Sequence, residues 1–237
     1  MATFVLIHGA GSSSWYWHLV APELVDRGHD VVAVDLPCDD DAAGLSEYAD
    51  VVVEAIGDRP DLVLVAQSMA GFTAPLVGER RPVDLIVLVA AMVPAPGETP
   101  ADWWTNTGHA QARREQATLD GRAPDDDDPV TLFLHDLPPD VVAESAHHIR
   151  EQSWTPFEKP WPLEAWPAVP TRFLLCRDDR FFPASFLRRV VRERLGITPD
   201  EMDGGHLPAL GRPKELAERL AAYEAERSRP AVSGAET

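Results

Sequence analysis

Three side chains in this 237-residue chain could together do nucleophilic chemistry: Ser68, Asp179 and His206. A serine hydroxyl attacks poorly by itself. It needs a base that takes its proton, and the base needs an acid that fixes its tautomer and stabilises its charged form. Ser68 stands out because of what surrounds it. The run Leu62–Phe72 (LVLVAQSMAGF) is apolar up to the serine, small around it and apolar again beyond it, the pattern of a strand, a sharp turn and a helix. A nucleophile on such a turn sits in a strained backbone conformation, and its near neighbours must be small to let strand and helix approach. Ala66, Ala70 and Gly71 meet that need, although the usual pattern has glycine where this chain has alanine on each side of the serine.

His206 is the expected base. Residues 204–208 (GGHLP) form a loop ahead of the closing helix, from which the ring can reach across to the turn. Asp178 and Asp179 both follow a strand read at Thr171–Cys176. Asp179 is preferred, since the step from Asp179 to Pro183 suits a turn that swings the carboxylate toward the histidine; Asp178 is the rival. The chain order is then Ser, Asp, His, unlike that of chymotrypsin-like or subtilisin-like enzymes. A tetrahedral oxyanion also needs backbone N–H donors. Met69, directly after the serine, and Ala10, in the turn His8-Gly9-Ala10-Gly11 after the first strand, are expected to supply them. His8 lies on the wrong side of Gly9 for the triad and is expected to bond loop backbone.

Five of the seven tryptophans, Trp103, Trp104, Trp154, Trp161 and Trp166, fall between residues 95 and 168, while Trp15 and Trp17 follow the first turn. Most are expected to pack an irregular segment onto the core. Trp104, with Phe133, His135 and Phe181, is a candidate for the wall of an apolar pocket. No cofactor is expected, and no metal, because no His, Cys or Asp cluster has ligand spacing. His147 and His148 are adjacent and would not face together on a helix, and the runs Asp39–Asp41 and Asp125–Asp128 lack the calcium-loop pattern.

The elements that must position these residues follow from apolar periodicity. Strands are read at Thr3–Ile7, Asp30–Val34, Leu62–Ala66, Asp84–Ala90, Thr171–Cys176 and about Pro199–Met202. Helices are read at Trp17–Arg27, at Ser46–Ile56 with Ser46 as its cap, at Met69–Gly78 and at Pro213–Tyr223. Alternation of this kind marks an α/β fold with a mostly parallel sheet wound by helices. It stops between residues 95 and 168, where proline, tryptophan and charge dominate. Residues 1–94 and 169–227 are therefore expected to form the core and residues 95–168 an inserted, mainly helical cap over the strand ends, where open α/β sheets place ligands. Ser228–Thr237 is small, polar and unpatterned, and is expected to be a disordered tail.

Composition narrows the function classes. The formal charge of −18 and a pI near 4.7 argue against nucleic acid and an anionic membrane surface as partners, because both require a basic patch. Small, neutral substrates fit better. Cys38 and Cys176 follow strands several positions apart, too far for a disulfide, which suits a reducing compartment. With no apolar leader and no run near the length of a membrane span, the chain reads as a soluble cytoplasmic protein. A homodimer paired through an apolar cap exterior is among the partners the sequence allows.

With these pieces placed, the chain resembles an α/β-hydrolase and, more narrowly, the small esterases related to plant methyl-ester-cleaving enzymes and hydroxynitrile lyases. The resemblance is carried by residues 4–10 (FVLIHGA), 15–17 (WYW), 28–32 (GHDVV), Asp35-Leu36, the serine turn, residues 88–94 (LVAAMVP) and the Asp179 and His206 loops. It implies a six-stranded parallel sheet with a mobile cap over the serine. Lyases of this type carry threonine after the residue matching His8, and lysine after the catalytic histidine to manage cyanide charge. Here Gly9 and Leu207 stand instead, so lyase chemistry lacks its electrostatic partner. Gln67 stands where histidine is commoner.

The expected activity is hydrolysis of a small carboxylic ester or lactone through an acyl-enzyme on Ser68. The same scaffold also supports natural-product tailoring, such as carbon–carbon bond hydrolysis, cofactor-free oxygenation, cyclisation or elimination. A ligand-binding receptor that retains the triad is the reading from another class.

Overall fold

The computed structural model describes residues 1–227; the tail expected to be disordered, Ser228–Thr237, lies outside the described residues. The elements in chain order are β1 (Thr3–Ile7), α1 (Val20–Val25), β2 (Asp30–Val34), α2 (Leu45–Ile56), β3 (Leu62–Gln67), α3 (Ala74–Arg80), β4 (Leu85–Val89), α4 (Pro100–Asn106), α5 (His109–Leu119), α6 (Pro139–Ser145) and α7 (Thr155–Glu158). They continue with β5 (Thr171–Cys176), α8 (Ala184–Leu195), β6 (Asp200–Met202), α9 (Pro208–Gly211) and α10 (Pro213–Arg227). The strands form one parallel sheet in the order β2-β1-β3-β4-β5-β6.

The central strands read as unbroken apolar runs because both faces of the sheet are covered. On one face Val5, Ile7, Leu64, Leu88 and Phe173 share a core with Val52 and Ile56 of α2, Leu76 of α3 and Val190 of α8. On the other, Phe4, Leu6, Val65, Val87 and Leu174 pack with Leu24 of α1 and Leu216 and Leu220 of α10. α2 earns its place by spacing: Leu45, Tyr48, Ala49, Val52 and Ile56 are its buried residues, at helical intervals.

Three expected helices differ in detail, and backbone chemistry explains two of them. Trp17–Arg27 is not one helix but a 3₁₀ turn at Ser14–Trp17 followed by the shorter α1. Pro22 has no N–H for the carbonyl of His18, so an α-helix cannot run through from Trp17. Met69–Gly78 likewise divides into a 3₁₀ turn at Ser68–Gly71 and then α3, because Pro75 has no N–H for the carbonyl of Gly71. At the start of α2, Gly44 rather than Ser46 occupies the cap, its N–H donating to the Glu47 carboxylate at 2.8 Å. The structure also adds α8, whose buried Phe186, Leu187, Val190 and Val191 form one helical stripe.

Residues 95–168 contain α4 to α7 and a π-helical turn at Val130–Leu134. This insert is fastened to the core by side chains that the sequence marks only as aromatic or acidic. Trp103 donates to the Val93 carbonyl at 2.9 Å and Trp161 to the Phe72 carbonyl at 3.1 Å, both indoles being buried. Glu98, also buried, pairs with Arg194 of α8 and accepts from Asn106 and from the Ala95 N–H. His109 donates from Nε2 to the Phe181 carbonyl, 2.7 Å away, since a carbonyl oxygen can only accept; burial lowers its pKa to about 4, so the ring is neutral.

Candidate active site

The sheet order reverses between β1 and β3: the chain leaves β1 toward β2 on one side and later returns to β3 on the other. A crevice opens at such a reversal beyond the carboxyl ends of the strands. Ile7 pairs with Ala66, so the turn after β1 lies beside the turn after β3. The two approach so closely that a Cβ on Gly9 would stand 2.9 Å from the Ser68 Cβ and 2.5 Å from Gln67 Oε1. Glycine is required at residue 9 for this approach. Gly71 is held more tightly still, since a Cβ there would lie 1.8 Å from the Met92 carbonyl oxygen.

Ser68 adopts φ +55°, a left-handed conformation that is unfavourable for a residue with a Cβ. Its carbonyl accepts the Met92 N–H at 2.9 Å, which ties the turn to the chain leaving β4. The strained turn aims the hydroxyl at His206: Ser68 Oγ and His206 Nε2 are 3.1 Å apart. His206 Nδ1 is 2.8 Å from Asp179 Oδ2. A carboxylate only accepts, so Nδ1 carries the proton and Nε2 presents its lone pair to the serine. Asp179 Oδ1 accepts the N–H groups of Phe181 and Phe182 at 2.9 and 2.8 Å, fixing the carboxylate in the turn. Asp179 and His206 are both 2% exposed.

The rival acid does something else. Asp178 Oδ2 accepts the Gly204 N–H at 3.1 Å, bracing the loop that carries His206. Two further side chains hold that loop: Gln67 donates to the His206 carbonyl at 3.1 Å, and Asp136, from the insert, accepts the Gly205 N–H at 2.6 Å. The turn after β1 is held as firmly. His8 is buried, with the Leu36 N–H donating to its Nε2 at 3.0 Å and its Nδ1 2.7 Å from the Gly9 carbonyl. Burial lowers its pKa to about 4, so it is a neutral strut between loops. Gly11 pairs with the insert through both backbone groups, to the Arg150 N–H and to Gln152 Oε1, each at 3.0 Å. Among the described residues, the N–H groups of Ala10 and Met69 enter no turn, loop or side-chain hydrogen bond.

A cavity of about 640 Å³ is lined by Ala10, Ser68, Met69 and His206 together with Trp104, Phe133 and Phe181. The rings of Phe133 and Phe181 stand edge-on to His206, with centroids 5.4 and 5.1 Å away. His135, expected on the pocket wall, is not among the residues that line it. Its ring lies behind the loop that carries His206, with a buried Nε2 that lacks a partner among the described residues and stands 3.0 Å from where a Gly205 Cβ would be. Val130, Phe133 and Leu134, spaced i, i+3 and i+4, share the face of the turn toward the cavity, and His135 follows off that face. Trp15, Tyr16, Met92 and Ile149 also line the cavity. Only the aromatic pair has a signal in the sequence, directly following the glycine-rich turn.

The walls carry little charge. Among the described residues no carboxylate lines the cavity, and the guanidinium of Arg150 is engaged by the Leu36 carbonyl and by Asp39. Cys38 and Cys176 are both buried and unpaired. No helix among the described residues is long and apolar enough to cross a membrane.

Comparison with known proteins agrees with this architecture. A family model described as the alpha/beta hydrolase family matches residues 4–219. Methylesterase 3 of Arabidopsis thaliana is 24% identical over 91% of this chain and 93% of its own length. Norfluorocurarine synthase 1 of a Strychnos species is 24% identical over 92% and 93%. The crystal structure of polyneuridine aldehyde esterase superposes with a TM-score of 0.76 at 21% identity, covering 94% of this chain and 99% of that one.

Proposed function

The chain belongs to the alpha/beta hydrolase family, and from that premise we propose that it is a serine hydrolase acting on a neutral carboxylic ester or lactone. The carrying observation is the hydrogen-bonded series Ser68, His206, Asp179, at 3.1 and 2.8 Å, set on a strained turn in an apolar cavity. Ser68 Oγ attacks the ester carbonyl while His206 Nε2 takes its proton. Asp179 holds the ring and stabilises the imidazolium. The Ala10 and Met69 N–H groups receive the oxyanion. His206 then protonates the departing alcohol, leaving an acyl-enzyme, and the same base activates the water that releases the acid. No cofactor enters this sequence.

The cavity also supports a view of the substrate. A charged group entering it would lose water and find no free partner of opposite sign, so a neutral molecule is favoured. At about 640 Å³ the space lies within the range of sites for drug-sized ligands and exceeds what a short-chain ester fills. Residues 95–168 act as the cap that encloses it.

The test combines labelling with turnover. An aryl phosphonate should label Ser68, and Ser68→Ala should abolish both labelling and the hydrolysis of a panel of p-nitrophenyl and bulky aryl esters. Undiminished labelling of the alanine variant would sink the assignment. A second reading, in which Ser68 and His206 act as acid, base or oxyanion donor on a natural product, draws on the synthase named among the relatives. It requires product formation without an acyl-enzyme, which intact-protein mass spectrometry during turnover distinguishes.

A further inference from the structure

Asp136 stands two residues beyond the π-helical turn, on the insert and outside the Ser68, His206, Asp179 series. Its Oδ2 accepts the Gly205 N–H at 2.6 Å. Its Oδ1 is buried without a hydrogen-bond partner, and Asp136 forms no ion pair among the described residues. A carboxylate oxygen left in this state is unfavourable and would not be expected where packing alone was needed. The loop has shaped itself around this group. A Cβ on Gly205 would lie 2.6 Å from Asp136 Oδ1, and one on Gly211, at the end of α9, would lie 3.3 Å from Oδ2. Both arms of the segment that carries His206 therefore close on one carboxylate.

Three side chains hold the backbone at and before His206: Asp178 at Gly204, Asp136 at Gly205, and Gln67 at the His206 carbonyl. Asp178 and Gln67 belong to the core. Only Asp136 comes from the insert, and it acts on the residue adjoining the base. We propose that Asp136 is a positioning residue that sets the His206 ring toward Ser68, so that the insert contributes to the geometry of the base as well as to the cavity wall. This rests on the serine-hydrolase reading above. The role is one of acceptor geometry: Asp136 holds an N–H group and touches neither the reacting atoms nor the imidazole.

The experiment compares the wild-type protein with Asp136→Ala and Asp136→Asn, using steady-state kinetics on the best ester of the panel and the rate of phosphonate labelling. Circular dichroism and thermal unfolding verify the fold. For Asp136→Ala, kcat should fall about 100-fold, as for a base misplaced by about 1 Å, with labelling slowed in parallel. KM should stay within about twofold. Asp136→Asn keeps an oxygen acceptor for Gly205 and should recover to within about tenfold of the wild type. A folded Asp136→Ala protein with wild-type kcat, a loss seated in KM, or an asparagine variant as impaired as the alanine one overturns the proposal. If Asp136→Ala does not fold, Gly205→Ala tests the same contact from the other side: its Cβ displaces the carboxylate, and kcat should fall with KM preserved. An unchanged kcat in a folded Gly205→Ala protein likewise overturns it. A wild-type protein that neither labels nor turns over overturns the hydrolase reading and this inference with it; an active wild type indifferent to these substitutions overturns the inference alone.

Discussion

Gln67 donates from Nε2 to the carbonyl oxygen of His206 at 3.1 Å, so the residue preceding the candidate nucleophile holds the backbone of the candidate base. The turn after β3 and the loop after β6 lie at opposite sides of β4 and β5 in the sheet order, yet this amide joins them directly. It is also confined on its other side, where Gly9 leaves no room for a Cβ. Gln67→Glu replaces the donor with a carboxylate facing a carbonyl oxygen. Its kcat should fall about 10- to 100-fold, whereas Gln67→Met, which removes the bond without adding repulsion, should lose less. Ester kinetics on the two variants decide this, and equal losses would count against it.

The two adjacent acids after β5 should separate cleanly in kinetics. Asp179→Asn leaves the shape but favours the wrong histidine tautomer, and kcat should fall by about 10⁴. Asp178→Asn keeps an acceptor for the Gly204 N–H and should stay within about tenfold of the wild type. Comparable losses in both variants would show that the acid has been assigned wrongly.

Two glycines should respond to alanine in opposite degrees. Gly71→Ala forces a Cβ against the Met92 backbone, which cannot swing aside as a side-chain end could, and a loss of more than about 3 kcal/mol is expected. Gly97→Ala meets nothing within 4 Å and bears only the strain of φ +72°, about 1 kcal/mol. Urea unfolding of the two proteins measures the difference.

Acid should destabilise the fold through its buried imidazoles. His8 and His109 have folded pKa values of about 4 against an unfolded value near 6.5. Between those values the unfolded chain binds more protons than the folded one, so stability is fully present above about pH 6.5 and is lost as pH falls toward 4. The loss is on the order of 3 kcal/mol for each ring. His109→Gln keeps a donor for the Phe181 carbonyl but cannot titrate. Its melting temperature should decline less steeply from pH 6.5 to 4 than that of the wild type, and matching slopes would refute the assignment.

Much of this architecture is legible in the residues themselves because its cues are local. An apolar strand run needs no knowledge of its neighbours to be recognised, and the small residues around Ser68 report a crowded turn directly. The chain order of Ser68, Asp179 and His206 places the candidate acid and base after strands, and the structure brings all three within hydrogen-bond distance. Proline at 22 and 75 is equally visible, yet its effect on helix continuity is seen only once the register of the 3₁₀ turns is known. What the tertiary structure alone decided is which distant groups meet. His135 and Phe133 are two residues apart and equally plausible as pocket walls, but the rotation of one helical turn sends one toward His206 and the other behind Gly205. Asp136 and Gly205 are 69 positions apart, and nothing in the composition around either one announces the other. Periodicity specifies the face a side chain takes on its own element; the partner across a loop follows from how the insert docks on the sheet, a property of the packed chain as a whole.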